Sequence, residues 1–244
     1  MNDQMNAPIS SMPSGSGPTP FYQVWINALT KPNEQTFAAM ANSGDAKATT
    51  AYLWVFAGSL VQIFFSALVQ SAMMRNLLQQ VGSNGNGGQF GGGGIGARLI
   101  GAICGAPVGA VIVTLFFAIG IYIIQWIAKM FGGKGTPDQL AYTMASIAAP
   151  YSIIAGLFIL LSAIPFVGLC FSVILGIAGL YVLVLQVMAI KGVNQFGWGQ
   201  AIGSLFIPGL VIGIFCGCLA FGAVALLGPA IRNAFNQINQ SLTP

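Results

Sequence analysis

The sequence contains no histidine, and charged residues make up only 5% of its 244 positions. Histidine is the commonest general base and a frequent metal ligand, so its absence excludes the Ser-His and Cys-His pairs of nucleophilic enzymes. A soluble domain of ordinary composition carries about a quarter charged residues. The 8 basic and 4 acidic side chains cannot cover a water-exposed surface, so most of the surface must face lipid.

Other chemical equipment is also missing. The net charge of +4 is small and dispersed along the chain, which does not fit a nucleic-acid-binding face. The sequence shows no carboxylate pair in an apolar run, no metal-ligand cluster and no dinucleotide fingerprint. The cysteines all lie in apolar runs and are interpreted as helix-packing residues: Cys104, Cys170, Cys216 and Cys218. We therefore predict no catalytic residues, no cofactor and no bound metal.

Hydrophobic residues make up 56% of the chain, and most of them fall in five long segments. Each segment is near or above the roughly 20 residues that a helix needs to cross a bilayer. We predict an all-α fold, a polytopic transmembrane helical bundle of about five spans, at residues 52–74, 101–129, 142–163, 166–190 and 201–227. Only Ile164-Pro165 separates the third span from the fourth, which predicts a tight helical hairpin.

Two segments precede the first span. Residues 1–20 are rich in Pro, Ser, Gly and Asn, which predicts a disordered cytoplasmic tail. Residues 21–50 are predicted to form short helices, in which Phe21, Trp25 and Leu29 share one face. That spacing suits a helix at the membrane surface with its rings among the lipid headgroups, and equally a helix that docks on the spans.

Residues 51–228 form the predicted five-span membrane domain. Within it, residues 82–94 read GSNGNGGQFGGGG. This segment is interpreted as a flexible linker and not as a phosphate-binding loop, because no Lys-Ser or Lys-Thr follows its last glycine. Residues 230–244 are predicted to be an amphipathic C-terminal tail, with Ile231 and Phe235 on one helical face.

The basic residues predict the orientation of the chain. With a cytoplasmic N-terminus, five of them lie inside and three outside, and an excess of basic residues marks the cytoplasmic side. The inner set is Lys31, Lys47, Lys129, Lys134 and Lys191, and the outer set is Arg75, Arg98 and Arg232.

Away from their ends, the predicted spans contain no Asp, Glu, Lys, Arg or His, which argues against an ion-driven pump or carrier. Glutamines are the strongest polar groups there: Gln62, Gln70, Gln125 and Gln186. They can form hydrogen bonds between helices, which is the favoured role, or line a path for a small solute.

Two glycine ladders have a spacing of four residues. The first is Gly101, Gly105 and Gly109, and the second is Gly209, Gly213 and Gly217. A ladder of this kind leaves a helix face without side chains, so that another backbone can approach closely. Packing within the chain is favoured, and dimerisation or docking of another membrane protein is the alternative.

The loop between the second and third spans carries a recognisable signature, and related motifs occur before and after it. They are Ala128 to Thr136 (AKMFGGKGT), Ala141-Tyr142, Ala149-Pro150, Lys31-Pro32 with Thr36-Phe37, and Val187 to Val193 (VMAIKGV). Over about residues 28–228, their order and spacing resemble the Yip family, five-span membrane proteins named for interacting with Ypt/Rab GTPases. The chain looks most similar to the bacterial and archaeal branch.

The signature supplies the candidate interface residues: Phe131, Gly132, Gly133, Lys134, Gly135, Tyr142 and Pro150. We interpret the loop as a lock between two spans at the cytoplasmic interface, since glycines permit a tight turn there. Tyr142 is then expected at headgroup level, with Pro150 kinking the third span. Binding of a lipid headgroup or a partner by Lys134 is the alternative.

The resemblance also bears on partners and location. Eukaryotic relatives act in Golgi and endoplasmic-reticulum vesicle traffic and bind prenylated Rab proteins through an N-terminal region with an acidic Leu-Tyr-Gly-Pro motif. Nothing like that motif occurs in residues 1–50, so Rab-type GTPase binding is not carried over to this chain. We expect a multi-pass protein of the cell membrane in a prokaryote, or of the endoplasmic reticulum or Golgi in a eukaryote. The family offers no catalytic residue.

Two functional hypotheses follow from different classes. The leading one is a non-enzymatic scaffold or adaptor that organises the membrane or recruits partners, with the lipid bilayer, other membrane proteins or a second copy as its contacts. The alternative is a small-solute channel or facilitator lined by the intramembrane glutamines.

Overall fold

The computed structural model describes residues 20–80, 95–161, 167–211, 213–214 and 218. All regular secondary structure in these ranges is helical. The helices are α1 (Phe21–Thr30), α2 (Glu34–Ala41), α3 (Ala48–Gln80), α4 (Ile95–Met130), α5 (Pro137–Leu161), α6 (Val167–Asn194) and α7 (Trp198–Val211).

Four of the helices are long and apolar enough to cross a bilayer. The stretches are Ala48–Val69, Ile100–Met130, Pro137–Leu161 and Cys170–Asn194. This confirms the predicted fold class, a polytopic helical bundle. Helix α7 is the described beginning of the predicted fifth span, and most of residues 212–227 lie outside the described part of the chain. The fifth crossing therefore stays a prediction.

Helix ends differ from the predicted span ends by several residues. Helix α3 is 33 residues long and α4 is 36, whereas the apolar pattern predicted spans at 52–74 and 101–129. At about 1.5 Å per residue, α4 is about 54 Å long, which exceeds a hydrocarbon core of about 30 Å. Hydropathy marks the part of a helix that lies in lipid, but backbone hydrogen bonds continue beyond it.

Helices α3 and α5 form the centre of the bundle. Of the four spanning stretches, the one in α5 has the largest buried share. A β-carbon on Gly58 of α3 would lie 2.8 Å from the Ala149 carbonyl oxygen, and one on Gly156 of α5 would lie 2.9 Å from the Gln62 Cα. The two backbones therefore touch at two levels, the kind of close approach that small residues allow in membranes.

The short helices α1 and α2 pack against the ends of α5 and α6. Asn33 caps α2, its side-chain oxygen accepting a hydrogen bond of 3.3 Å from the Gln35 amide. Helix α1 buries Val24 and Ala28, which lie between the aromatic positions singled out in the sequence. Of the two predicted alternatives, docking on the spans agrees with this contact. Trp25 and Leu29 are half-buried, and three apolar side chains of α1 are exposed: Phe21, Tyr22 and Ile26. Their position among headgroups stays a prediction.

The described charged side chains gather at one end of the bundle, which we call the charged end. Helices α3 and α5 begin there, and α4 and α6 end there. Its lysines are Lys31, Lys47, Lys129, Lys134 and Lys191, and its acidic residues are Glu34, Asp45 and Asp138. The five lysines lie together, as the predicted topology requires.

Several predicted features lie outside the described residues: the tail before Pro20, the linker at 82–94, the Ile164-Pro165 turn, Gly217 and the tail at 230–244.

Candidate functional site

The last turn of α6 joins the loop of the family-like signature to the bundle. Asn194, at the end of α6, is fully buried, and Gln125 of α4 is only 1% exposed. The Gln125 amide nitrogen donates to the Gly135 carbonyl at 2.7 Å and to the Asn194 side-chain oxygen at 2.9 Å. The Gly135 amide donates to the same Asn194 oxygen at 3.3 Å. We call Gln125, Asn194 and residues 131–136 the loop clamp.

The glycines of the loop clamp follow from these contacts. Gly132 has a φ of +87°, a left-handed conformation that is unfavourable for residues with a β-carbon. A β-carbon on Gly133 would lie 2.6 Å from the Asn194 side-chain oxygen, and one on Gly135 would lie 2.6 Å from a Val193 methyl carbon. The Gly-Gly-Lys-Gly sequence is therefore explained by one turn and two close approaches.

The backbone amides of the loop are all used inside the protein. Gly132 donates to the Lys129 carbonyl at 3.0 Å, Gly133 to the Ala128 carbonyl at 2.8 Å, and Lys134 to the Asn194 carbonyl at 3.2 Å. The Thr136 amide donates to the Gln139 side chain at 3.0 Å. A phosphate cradle needs free amides that converge on the anion, so this loop is not one. Lys134 is the charged side chain of this loop, and it is exposed.

A second set of contacts holds α2 and α7 to the same turn of α6. Lys191 forms an ion pair with Glu34, the first residue of α2, and its ammonium lies 4.4 Å from the centroid of the Trp198 ring at the start of α7. A β-carbon on Gly192 would lie 2.7 Å from the Glu34 carbonyl oxygen. Helix α6 ends at Asn194, and Gln195 after it has a φ of 54°, which turns the chain towards α7.

Tyr142 is buried among other aromatic rings. It is 2% exposed, with its ring centroid 5.1 Å from that of Trp54 on α3. Trp54 in turn lies 5.8 Å from Trp25 of α1, edge to face. The Tyr142 ring therefore contacts protein, and its depth at headgroup level stays a prediction. Pro150 is also buried, inside α5.

Most glycines of the two ladders do not lie where the described helices touch. Among the described residues, nothing lies within 4 Å of a β-carbon built on Gly101, Gly105, Gly209 or Gly213. Gly109 would meet an Ile63 side-chain carbon at 3.1 Å. A role of the ladders in contacts between molecules stays a prediction. The close backbone approaches are at Gly58, Gly156 and Gly192, which stand singly and gave no repeating signal.

The glutamines divide between two environments. Gln125 belongs to the loop clamp, whereas Gln62 packs beside Gly156 where α3 meets α5. Gln186 is half-buried in α6, and the Gln70 side chain is outside the described part. Gln125 therefore hydrogen bonds within the protein and does not line a solute path.

The exposed basic groups at the charged end are four lysines. Lys31, Lys47, Lys129 and Lys134 are exposed, and none forms an ion pair with a described residue. Three of the cysteines are described and exposed, and the described residues contain no group of His, Cys, Asp and Glu that could hold a metal ion. The charged end can thus attract an anionic surface.

Comparison with known proteins gives the family. Neither the curated proteins nor the solved structures contain a match to the chain. The family model for the Yip1 domain matches residues 26–220, which include α2 to α7 and the loop clamp. The chain therefore belongs to the Yip family and is an integral membrane protein of that family.

Proposed function

We propose that the protein is a non-enzymatic membrane adaptor whose charged end faces the cytoplasm and recruits a protein partner with an acidic surface. The observation that supports the proposal most directly is the loop clamp. Two buried polar side chains fix a surface loop from which Lys134 projects into solvent. Surface loops positioned by a rigid scaffold are the usual carriers of binding function.

The chemistry of the partner follows from the charges. Four exposed lysines make no ion pair within the described residues, whereas Glu34 is occupied by Lys191. An acidic partner surface would complement this pattern, and charge complementarity mainly speeds encounter and sets specificity. We also propose that the chain belongs to the bacterial and archaeal branch, because the acidic Leu-Tyr-Gly-Pro motif of the eukaryotic relatives does not occur in residues 1–50.

Photo-crosslinking from position 134 tests the proposal. A photoreactive amino acid replaces Lys134, and the same residue at Ile119, on the lipid-exposed face of α4, serves as the matched control. Illumination of native membranes should give a defined protein adduct from position 134 and none from position 119. The same adduct from both positions, or no protein adduct from position 134, would contradict the proposal.

The channel hypothesis is tested by a measurement of solute flux. Purified protein in liposomes should then carry small solutes at a rate that a Gln186→Leu substitution lowers. We expect no flux above that of protein-free liposomes, because Gln125 is held in the loop clamp. Gln186-dependent flux would replace the adaptor with the channel.

A further inference from the structure

An apolar groove lies between α4 and α7 beside the charged end. Its volume is about 490 Å³, within the range of about 300–1,000 Å³ that is usual for small-molecule sites. Trp126 and Met130 line it from α4, Phe131 lines it from the loop clamp, and Ile207, Pro208 and Val211 line it from α7. The side chains that line it in the described part of the chain are hydrophobic, and the indole N–H of Trp126 is their one polar group.

The groove is built into the spanning part of the bundle. Its α4 residues belong to the last turns of the stretch Ile100–Met130, and its α7 residues follow Trp198 by two to three turns. Because hydrocarbon surrounds this region, the molecule at hand to fill an apolar groove is a lipid chain from the adjacent leaflet.

The two walls of the groove are held together at the charged end. The Gln200 side-chain amide donates to the Phe131 carbonyl at 3.3 Å. A β-carbon on Gly203 would lie 3.5 Å from the Phe131 ring, which is ordinary van der Waals contact. These contacts join the start of α7 to the end of α4. The groove is therefore closed at its polar end and open along its apolar part.

Basic side chains stand at this polar end. Lys129 belongs to the same turn of α4 as Met130, and Lys134 follows in the loop; both are exposed. Asp138 in the first turn of α5 offsets only one of the two charges. Since the loop amides are already bonded, an anionic group would be held by the lysine side chains, which commonly reach headgroups from helix ends.

We propose that the groove binds an anionic phospholipid of the surrounding membrane, with one acyl chain between α4 and α7 and the phosphate at Lys129 and Lys134. The combination of an apolar groove with two unpaired lysines at its polar end carries this assignment. It adds a lipid ligand on the α4–α7 face to the protein partner proposed above.

Labelling with photoreactive lipids tests the site. Purified protein is placed in bilayers that contain phosphatidylglycerol or phosphatidylcholine with a photoreactive group on the acyl chain. We expect phosphatidylglycerol to label peptides of α4 and α7 more strongly. Lys129→Gln with Lys134→Gln should lower that labelling by about fivefold for each lysine removed. The matched control, Lys31→Gln with Lys47→Gln, removes the same charge from the same end and should leave labelling unchanged.

Three outcomes would overturn the proposal. They are equal labelling by both lipids, an equal loss in the two double variants, and unchanged labelling when Val211→Trp fills the groove. If a lysine variant does not fold, the comparison of lipids on the wild-type protein and on Val211→Trp still decides. The bilayers contain no other protein, so this result is independent of partner recruitment.

Discussion

At the scale of single residues, the loop clamp is the most constrained part of the described structure. Asn194 uses its side-chain oxygen for Gln125 and Gly135, and its side-chain nitrogen donates to the Ile190 carbonyl at 3.1 Å. Buried polar groups of this kind stabilise when all members are satisfied and destabilise when one is removed. Single substitutions here should therefore act on the fold before they act on binding.

Replacing Gly135 with alanine tests the close approach at the loop. The added methyl carbon would overlap a Val193 methyl and approach the Asn194 oxygen, so we expect a loss of about 1–3 kcal/mol, measured as a lower Tm in detergent. The control is Gly199→Ala in α7, where nothing lies within 4 Å. Equal changes in Tm for both variants would contradict the clamp.

A double-mutant cycle on Gln125 and Asn194 measures their coupling. Gln125→Leu and Asn194→Ala each remove partners of the other and of Gly135. We expect a coupling free energy of about 0.5–3 kcal/mol, as is usual for residues in one hydrogen-bond network. Additive losses in the free energy of unfolding would show that the two side chains act independently.

Sequence reasoning found one half of this clamp and missed the other. Gln125 stood out because an amide inside an apolar run needs a partner. Asn194 lies just beyond the predicted fourth span, where a polar residue reads as a solvated helix end. Only the three-dimensional path of the loop shows that it is buried. The same limit explains Tyr142, whose burial depends on α1 and α3 and not on its own neighbours in sequence.

At the scale of helices, single glycines and glycine ladders have different surroundings. Gly58 and Gly156 place the backbones of α3 and α5 in contact, whereas Gly105 faces open space among the described residues. Repetition in sequence drew attention to the ladders, but contact between helices depends on where two helices cross. A single small residue at a crossing has no periodic signal.

Leucine substitutions should separate these two kinds of glycine. Gly58→Leu or Gly156→Leu would force α3 and α5 apart at backbone contacts below 3 Å, so we expect a clear fall in Tm and loss of monodisperse protein in detergent. Gly105→Leu should leave Tm unchanged. If Gly105→Leu also lowers self-association in cross-linking, the predicted role of the first ladder between molecules gains support. A large loss of stability in Gly105→Leu would contradict the described packing.

The docking of α2 on α6 is open to a charge-reversal test. Lys191→Glu should repel Glu34 and loosen α2, so trypsin should cleave after Lys47 faster. We expect an increase of up to about fivefold, since a partly exposed ion pair is worth about 1 kcal/mol or less. Glu34→Lys with Lys191→Glu should restore the slow rate. Lys129→Glu, at the same end without an ion pair, is the control, and an equal effect there would contradict the role of the pair.

At the scale of the whole molecule, charge asymmetry predicts the orientation. The lysines gather at the charged end, and Arg75 and Arg98 lie on the helix segments that lead away from it. Composition and hydropathy were sufficient to predict a helical membrane protein and four of its spans, because the bilayer imposes length and apolarity on every crossing. Composition and hydropathy do not indicate which spans are in contact with each other.

A reporter at each terminus tests the topology. With five spans and the charged end in the cytoplasm, a reporter fused to the N-terminus should be cytoplasmic and one fused to the C-terminus should be on the opposite side. A cytoplasmic C-terminal reporter would overturn either the fifth crossing or the orientation. Labelling of a cysteine introduced at Lys134 from each side of the membrane distinguishes these two explanations.

The last turn of α6 also determines where the chain can tolerate an inserted or deleted residue. Four consecutive residues there contact two other parts of the protein: Lys191 and Gly192 contact α2, and Val193 and Asn194 contact the loop at Gly135. Successive side chains of a helix differ by about 100° in direction. One inserted or deleted residue between Val182 and Lys191 would rotate all four away from their partners together. Gains and losses of single residues should therefore be tolerated in the segment around 82–94 and rejected in the second half of α6.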